Sequence, residues 1–253
     1  MNLDPSHGHS RIQIALLIVI LLPLSYFVTR TKTALPAIVA PRSTTNSYST
    51  NFSRAENPIR EGGKWISGKK AGLDWADVRV LPGFAYGLEI GGNRPAREKY
   101  DDSTALLTGK WGPDQTAEAT VHRTNKDDDN AYEEVELRLR SKLSRHKCTG
   151  YEVMFRCSKS PNAYCSIARW DGILGAYMML QENRGSQYGV ADGDVIKASI
   201  KGEVITVWIN GVQIAQTHDY LFTDGNPGIG FYLEGATGVN EQYGLSRFSA
   251  TSE

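Results

Sequence analysis

The sequence predicts an all-β protein, an antiparallel sandwich of two sheets, over residues 51–253. Short runs that alternate apolar and polar residues recur after residue 51, separated by clusters of Gly, Pro, Asn and Asp, which is the spacing typical of a sandwich or barrel. The chain of 253 residues contains 25 Gly, and no stretch of the folded part keeps a helical period. A sandwich is the simplest way to bury so many half-apolar strands.

Residues 1–29 are predicted to be a signal peptide or a signal anchor. The run 12–28, "IQIALLIVILLPLSYFV", carries no charge; it is long for the core of a signal peptide and short for a membrane-spanning helix. Arg11 precedes the run and Arg30 and Lys32 follow it, so the charge count alone would keep the downstream domain in the cytoplasm. Contact with a membrane is therefore predicted through residues 12–28, with cleavage left open.

Residues 30–50 are predicted to be a flexible linker. The segment is rich in Thr, Ser, Ala and Pro and has no period of 2 or 3.6 residues. The folded domain is accordingly expected to begin at residue 51 and to reach residue 253.

Alternating runs predict the strands of this domain. They are Val78–Val80, Ala85–Ile90, Ala105–Leu107, Gln115–Arg123, Glu133–Arg140, Gly150–Cys157, Tyr164–Trp170, Ala176–Gln181, Val195–Lys201, Val204–Ile209, Val212–His218, Gly228–Glu234 and Tyr243–Ala250. In "EVELRLR" the apolar residues Val135, Leu137 and Leu139 share one face, and Glu134, Glu136, Arg138 and Arg140 share the other.

The stretch "VWINGVQIAQTHD", residues 207–219, predicts a hairpin. Asn210 and Gly211 are the residue pair that a type I′ turn requires, because both positions need a positive φ. The hairpin carries few side chains of the kind that recognise ligands, so we interpret it as scaffold.

Several segments together resemble the concanavalin A-like lectin/glucanase superfamily, the laminin-G-like jelly-roll domains of exported bacterial proteins. The opening "NFSRAENPIREGGKW" with its Gly63-Lys64-Trp65 element, the run "GDVIKASIKGEVITVWINGVQI" and the late strand "GNPGIGFYLEG" carry the resemblance, which covers residues 51–253. The resemblance implies a jelly-roll sandwich and a location outside the cytoplasm, either membrane-anchored or secreted. It does not specify the activity, because this fold hosts lectins, glycosidases, lyases and adhesion modules.

Three cysteines are present, and two of them form a disulfide candidate. Cys157 and Cys165 flank a Ser-Pro-Asn turn, and a hairpin symmetric about Pro161 would place them opposite each other. The alternative is that all three thiols are free, as they would be in a reducing compartment.

Asp127, Asp128 and Asp129 are candidate calcium ligands, because some lectin-like jelly rolls bind calcium through such carboxylates. A solvated acidic loop is the simpler interpretation of the same residues. No Cys or His lies at the spacing of a zinc site.

Catalysis is left uncertain, and the sequence favours its absence. Glucanases of the resembled superfamily carry a Glu-x-Asp-x-x-Glu motif, and here Arg138 and Arg140 stand where further acids would continue the run after Glu136. A neighbouring arginine lowers the pKa of a carboxylate, so the sequence predicts a salt-linked face without a proton-donating acid. The alternative is a uronate polysaccharide lyase, which "ELRLR" and His122 resemble faintly.

The predicted function is that of a non-catalytic carbohydrate-binding or adhesion-like module. The candidate ligand-binding residues are Glu136, Arg138, Arg140, Arg156, Arg169, Trp170 and Tyr177. A solvated face of ion pairs over a buried Trp170 would give the same pattern, and a structural protein–protein module also stays open. Nucleic acid is not expected as a partner, since the formal net charge is zero.

Overall fold

The computed structural model describes residues 45–89, 100–126, 130–235 and 237–253, which form two antiparallel sheets. The first sheet contains β1 (Asn46–Thr50), β3 (Val78–Leu81), β4 (Phe84–Gly87), β6 (Gln115–Arg123), β11 (Val195–Lys201), β12 (Val204–Ile209), β13 (Val212–His218) and β15 (Tyr243–Ser252). The second contains β2 (Trp65–Ser67), β5 (Ser103–Leu107), β7 (Ala131–Ser144), β8 (Lys147–Arg156), β9 (Tyr164–Gly172), β10 (Tyr177–Arg184) and β14 (Asn226–Gly235). Helical structure in these ranges is limited to α1 (Gly68–Ala71) and the 3₁₀ turns Glu61–Gly63, Ser186–Tyr188 and Asn240–Gln242. The predicted all-β sandwich is confirmed.

The core lies between the sheets and is built from one face of each strand. In β7 the inward residues are Val135, Leu137 and Leu139, all fully buried, as the alternation in "EVELRLR" predicts. The strands of the second sheet follow the order β10-β9-β8-β7-β14-β5-β2, so β7 lies near the middle. Its outward residues are therefore flanked on both sides by neighbouring strands.

The ordered domain begins earlier than the sequence predicts. Residues 46–50, which the composition assigns to the linker 30–50, form β1 and pair with β15. The strand is polar, and only Tyr48 packs against the core, so it lacks the apolar alternation on which the prediction depended. The side chain of Glu61 accepts hydrogen bonds from Tyr48 and Thr50 and thereby fixes the strand.

The predicted hairpin is present as β12 and β13. Asn210 and Gly211 adopt φ values of 51° and 79°, in the left-handed region that a type I′ turn requires. Val207 and Ile209 point into the core, and Trp208 lies on the opposite face beside Lys197, whose Nζ is 5.8 Å from the ring centre.

Two predicted features lie outside the described residues: the apolar run 12–28 and the aspartates Asp127, Asp128 and Asp129. Within the described ranges, no helix is long and apolar enough to cross a membrane.

The three cysteines are buried and free, so the predicted Cys157–Cys165 bridge is not formed in the structure. The reason is the register of the hairpin. Cys165 lies opposite Phe155, and the same register continued would place Cys157 opposite Ala163. Cys157 and Cys165 are then diagonal neighbours, which lie about 7–8 Å apart, beyond the roughly 4.4–6.8 Å that separates the Cα atoms of a disulfide.

Candidate functional site

A cavity of about 220 Å³ lies on the outward face of the second sheet. Side chains of β7, β8, β9, β10 and β14 line it, together with Tyr100 and Asp102, which precede β5. Because successive residues of a strand alternate between faces, the cavity receives the residues of these strands that the core does not use. The fold thus builds the core and the cavity from opposite faces of the same strands.

Aromatic residues stand at both ends of the cavity. At one end, the rings of Tyr132 and Tyr164 lie 6.0 Å apart, and Tyr232 meets Tyr132 edge-on at 6.0 Å. At the other end, Tyr177 contacts Trp170 at 5.6 Å and, on its other side, Tyr100 at 5.4 Å. These rings form the two aromatic walls of the cavity: Tyr132, Tyr164 and Tyr232 at one end, and Tyr100, Trp170 and Tyr177 at the other.

The distance between the aromatic walls follows from strand geometry. Tyr164 and Trp170 both belong to β9 and share a face, six residues apart, which corresponds to about 20 Å along the strand. Tyr177 and Tyr100 are both more than a third exposed, so this wall is open to solvent.

Carboxylates form the floor between the walls, around one buried arginine. Arg138 on β7 is fully buried, and its Nη2 lies 2.6 Å from Glu136 and 3.5 Å from Asp102. Its Nη1 forms an ion pair with Glu152 of β8, the carboxylate that also accepts a hydrogen bond from Trp170 Nε1. One oxygen of each of the three acids lies within 4.8 Å of the others.

The electrostatics of this floor correct a prediction from the sequence. The arginines were expected to lower the pKa of the neighbouring carboxylates, but burial raises the pKa of both Asp102 and Glu136 well above their usual range, outweighing the attraction of Arg138. The carboxylate of Glu152 raises both further. Desolvation of a charged carboxylate is costly, so the guanidinium of Arg138 does not offset the effect of burial on Asp102 and Glu136.

Glu134 lies next to this cluster and is a second protonatable group. Burial raises its pKa to about 7, partly opposed by a hydrogen bond from Tyr164. Its Oε2 has no hydrogen-bond partner although the residue is 5 % exposed and lines the cavity. A buried polar atom without a partner is costly, so this oxygen is available to a ligand.

Asp102, Glu136 and Glu152 are also the kind of oxygen donors that hold divalent cations. Arg138, however, already supplies the positive charge, because its guanidinium contacts each of the three carboxylates. A metal ion placed there would meet a like charge at contact distance. We therefore assign no metal to this cluster.

The structure brings four of the predicted ligand-binding residues together. Glu136, Trp170 and Tyr177 line the cavity, and Arg138 supports its floor. Trp170 satisfies both interpretations made from the sequence: it is 3 % exposed and packs against Trp75, and its ring also borders the cavity.

The other three arginines predicted to bind a ligand form contacts outside the cavity. Arg140 leaves the face of Arg138 because it lies at a bulge of β7 with a φ of 47°, and its guanidinium donates to the carbonyls of Pro113, Phe222 and Gly202. A bulge breaks the period of two, which the sequence pattern does not reveal.

Arg156 and Arg169 also lie outside the cavity lining. Arg156 covers the ring of Tyr132 at 3.7 Å and donates to a backbone carbonyl. Arg169 pairs with Asp171 at 2.7 Å and Asp219 at 2.5 Å. His122, the faint lyase candidate, is on β6 of the other sheet and stacks on Phe84 at 4.3 Å.

Several lining residues were not predicted, namely Tyr100, Asp102, Tyr132, Glu134, Glu152, Tyr164, Glu182 and Tyr232. The sequence pattern of β8 could have identified some of them, since Glu152 and Met154 alternate with core residues and must therefore lie on the outward face. Asp102 offers no such signal, because it lies outside any predicted strand and reaches the floor only through the tertiary fold.

Comparison with known proteins finds similar solved structures at low sequence identity, whereas no family model and no curated protein matches the sequence. The carbohydrate recognition domain of Emp46p, in its potassium-bound form, is 12% identical, with 80% of this chain and 95% of that chain covered and a TM-score of 0.50. A mutant of the GH43 protein BlXynB from Bacillus licheniformis is 9% identical, with 81% of this chain and 39% of that chain covered and a TM-score of 0.50.

The carbohydrate-binding module CBM66 from Bacillus subtilis is 13% identical, with 77% of this chain and 96% of that chain covered and a TM-score of 0.48. Likeness at such identities concerns the fold and not the activity. The likeness to the Emp46p domain agrees with the sheet topology and with the resemblance in the sequence. The chain therefore carries a jelly-roll domain of the concanavalin A-like lectin/glucanase fold.

Proposed function

We propose that the cavity on the second sheet binds a carbohydrate. The observation that carries the proposal is the arrangement of aromatic walls at both ends of a floor of carboxylates. A sugar ring has apolar C–H faces that pack on aromatic rings, and hydroxyl groups at its rim that hydrogen-bond to polar side chains. Binding sites usually combine such apolar surfaces with a few placed polar groups.

The size of the cavity and the fold support the same proposal. A volume of about 220 Å³ is below the roughly 300–1,000 Å³ typical of pockets for drug-sized ligands, which suits a short glycan lying along the cavity better than a long, deeply buried chain. The Emp46p domain is described as a carbohydrate recognition domain; this analogy is one of fold alone.

The setting of the domain is part of the proposal. We propose that it acts outside the cytoplasm, at the cell surface or secreted, with residues 12–28 as its anchor or signal. The six carboxylates of the lining do not favour the uronate lyase alternative, because a uronate carries a like charge. A protein–protein module stays an alternative that a glycan screen decides.

Removing an aromatic ring of the open wall is expected to weaken this binding. In a glycan array probed with the full chain, Tyr177→Ala should lower the affinity for the retained glycan by about tenfold or more, as truncation of a central aromatic residue commonly does. Tyr177 is 38% exposed on edge strand β10, so the fold should survive.

The matched control is Trp208→Ala, which removes a partly exposed aromatic ring from the other sheet. It should leave glycan binding unchanged. The proposal would be contradicted if the wild-type chain bound no glycan on the array, or if Tyr177→Ala bound the glycan as tightly as the wild type.

Glycoside hydrolysis is a second candidate, favoured by the pKa of Glu134, which burial raises to about 7. A general acid must hold its proton near neutral pH. Glu136 follows two residues later on the same face of β7, about 7 Å along the backbone, and inverting glycosidases hold their two carboxyl groups about 6.5–9.5 Å apart. The raised pKa of Glu136 and its ion pair with Arg138 do not suit it as the base, so the candidate rests on Glu134 as the acid.

Hydrolysis is tested by incubating any retained glycan with the chain and measuring new reducing ends. A hydrolase should release products with the wild-type chain and roughly a hundredfold or more slowly with Glu134→Gln, since general acid catalysis contributes about 10²–10⁴-fold. No release by the wild-type chain would leave binding alone as the function.

A further inference from the structure

The described lining of the cavity is acidic. Its charged side chains are Asp102, Glu134, Glu136, Glu152, Glu182 and Glu234, and no Lys, Arg or His is among the described residues that line it. Arg138 beneath the floor offsets part of this charge, and Arg184 at the rim pairs with Glu182 at 2.7 Å. Carboxyl groups thus outnumber cationic groups at the surface that a ligand meets.

One of these acids has an unused acceptor. Oε2 of Glu134 is buried and has no hydrogen-bond partner, whereas Glu136 and Glu152 are engaged by Arg138. The strand register places Glu134 beside Tyr232 on β14 and Arg156 on β8. A positively charged donor from the ligand would satisfy this oxygen with a charge-assisted hydrogen bond.

The aromatic walls suit a positive charge as well. The faces of aromatic rings attract cations within about 6 Å of the ring centre. In the wall formed by Tyr132, Tyr164 and Tyr232, Arg156 lies 3.7 Å from the ring centre of Tyr132, and Arg184 lies 5.4 Å from the ring centre of Tyr164.

We propose that the cavity selects a sugar that carries a protonated amine, such as a glucosamine unit, with the ammonium group donating to Glu134. The inference rests on the proposed carbohydrate binding and adds its substrate class. An ammonium group complements the acidic floor, while sugar rings of the same glycan pack against the aromatic walls. A hydroxyl or an acetamide at the same position carries no charge, and uronate or sulfate groups would be repelled.

The test uses three β-linked oligosaccharides that differ in the substituent on carbon 2: glucosamine with an amine, glucose with a hydroxyl and N-acetylglucosamine with an acetamide. Affinities for the full chain are measured by titration calorimetry at about pH 6, where a sugar amine is charged. The glucosamine oligomer should bind at least about tenfold more tightly than both others, since hydrogen bonds to charged groups are the strong ones.

Glu134→Gln should remove this preference and keep the weaker binding of the neutral oligomers. Glu203→Gln, which removes the same charge from an exposed position on the β11–β12 turn, should leave the preference intact. The Glu203→Gln control separates recognition in the cavity from a general electrostatic attraction between the protein and a cationic sugar.

A second readout follows from protonation. Burial raises the pKa of Glu134 to about 7, so the free chain holds a proton there at pH 6, and a bound ammonium lowers that pKa. Tyr164, Glu152, Arg156 and Glu182 are the other groups that act on this carboxyl. Calorimetry in two buffers of different ionisation enthalpy should detect proton release with the glucosamine oligomer and none with the glucose oligomer.

The possible failures are distinguishable. Equal or tighter binding of the glucose or N-acetylglucosamine oligomer would overturn the amine inference and leave carbohydrate binding in place. An amine preference that persists in Glu134→Gln, or binding of the amine without proton release, would overturn the role of Glu134. Retention of no glycan in the wider array would overturn the proposed function itself.

Discussion

Arg138→Met is expected to lower the free energy of unfolding by about 3–5 kcal/mol, the typical cost of breaking a buried ion pair from one side. Arg138 is fully buried and contacts Glu136, Glu152 and Asp102. Without the guanidinium, the three carboxyl groups keep no counter-charge inside the sheet. Urea denaturation at about pH 7 measures the loss.

The matched control is Arg184→Met. This variant breaks the ion pair between Arg184, which is exposed, and Glu182. Exposed pairs contribute about 0–1 kcal/mol, so this variant should be nearly as stable as the wild type. The loss in Arg138→Met should also shrink at acid pH, because protonated carboxyls need no counter-charge. Equal stability of the two variants near neutral pH would contradict the account of the floor.

The wild-type protein is expected to lose stability as the pH rises from about 4.5 to about 7. Burial raises the pKa of Glu134 from 4.5 to about 7, so between these values the folded chain binds a proton that the unfolded chain has released. Stability then falls with increasing pH, by roughly 3 kcal/mol at most for a shift of this size. Asp102 and Glu136, whose pKa values are raised as well, act in the same direction.

Glu134→Gln should make this decline shallower, because glutamine does not titrate. The measurement is the free energy of unfolding of both proteins at several pH values between about 4.5 and about 7, with Glu203→Gln as a control for loss of an exposed charge. The difference in stability between wild type and Glu134→Gln should change across this range. A constant difference would mean that the carboxyl of Glu134 is ionised throughout.

The fold was predictable from the sequence because its main signal is local. Alternation in "EVELRLR" places Val135, Leu137 and Leu139 in the core, and the Asn210-Gly211 pair specifies a turn whose geometry the structure reproduces. The polar strand β1 lacks that signal, so its pairing with β15 depends on tertiary contacts alone.

The site was predictable only in part because it depends on register and burial. Alternation selects the outward face of β7, and so identifies Glu136 and Arg138, but it does not reveal that neighbouring strands bury these two side chains to 1 % exposure or less. Burial reverses the expected direction of the carboxylate pKa values. The bulge at Arg140 and the arrival of Asp102 from a loop are tertiary features, and neither leaves a periodic pattern.

The central claim is that a sugar occupies the cavity between the aromatic walls. The most direct measurement is a crystal structure of the full chain with the tightest glycan from the array. We expect a glycan that lies along the cavity, with one sugar unit packed against Tyr177 and, towards the other end, a polar group of the glycan within hydrogen-bond distance of Glu134 Oε2. A glycan bound on the outer face of the first sheet, with the cavity empty, would contradict it.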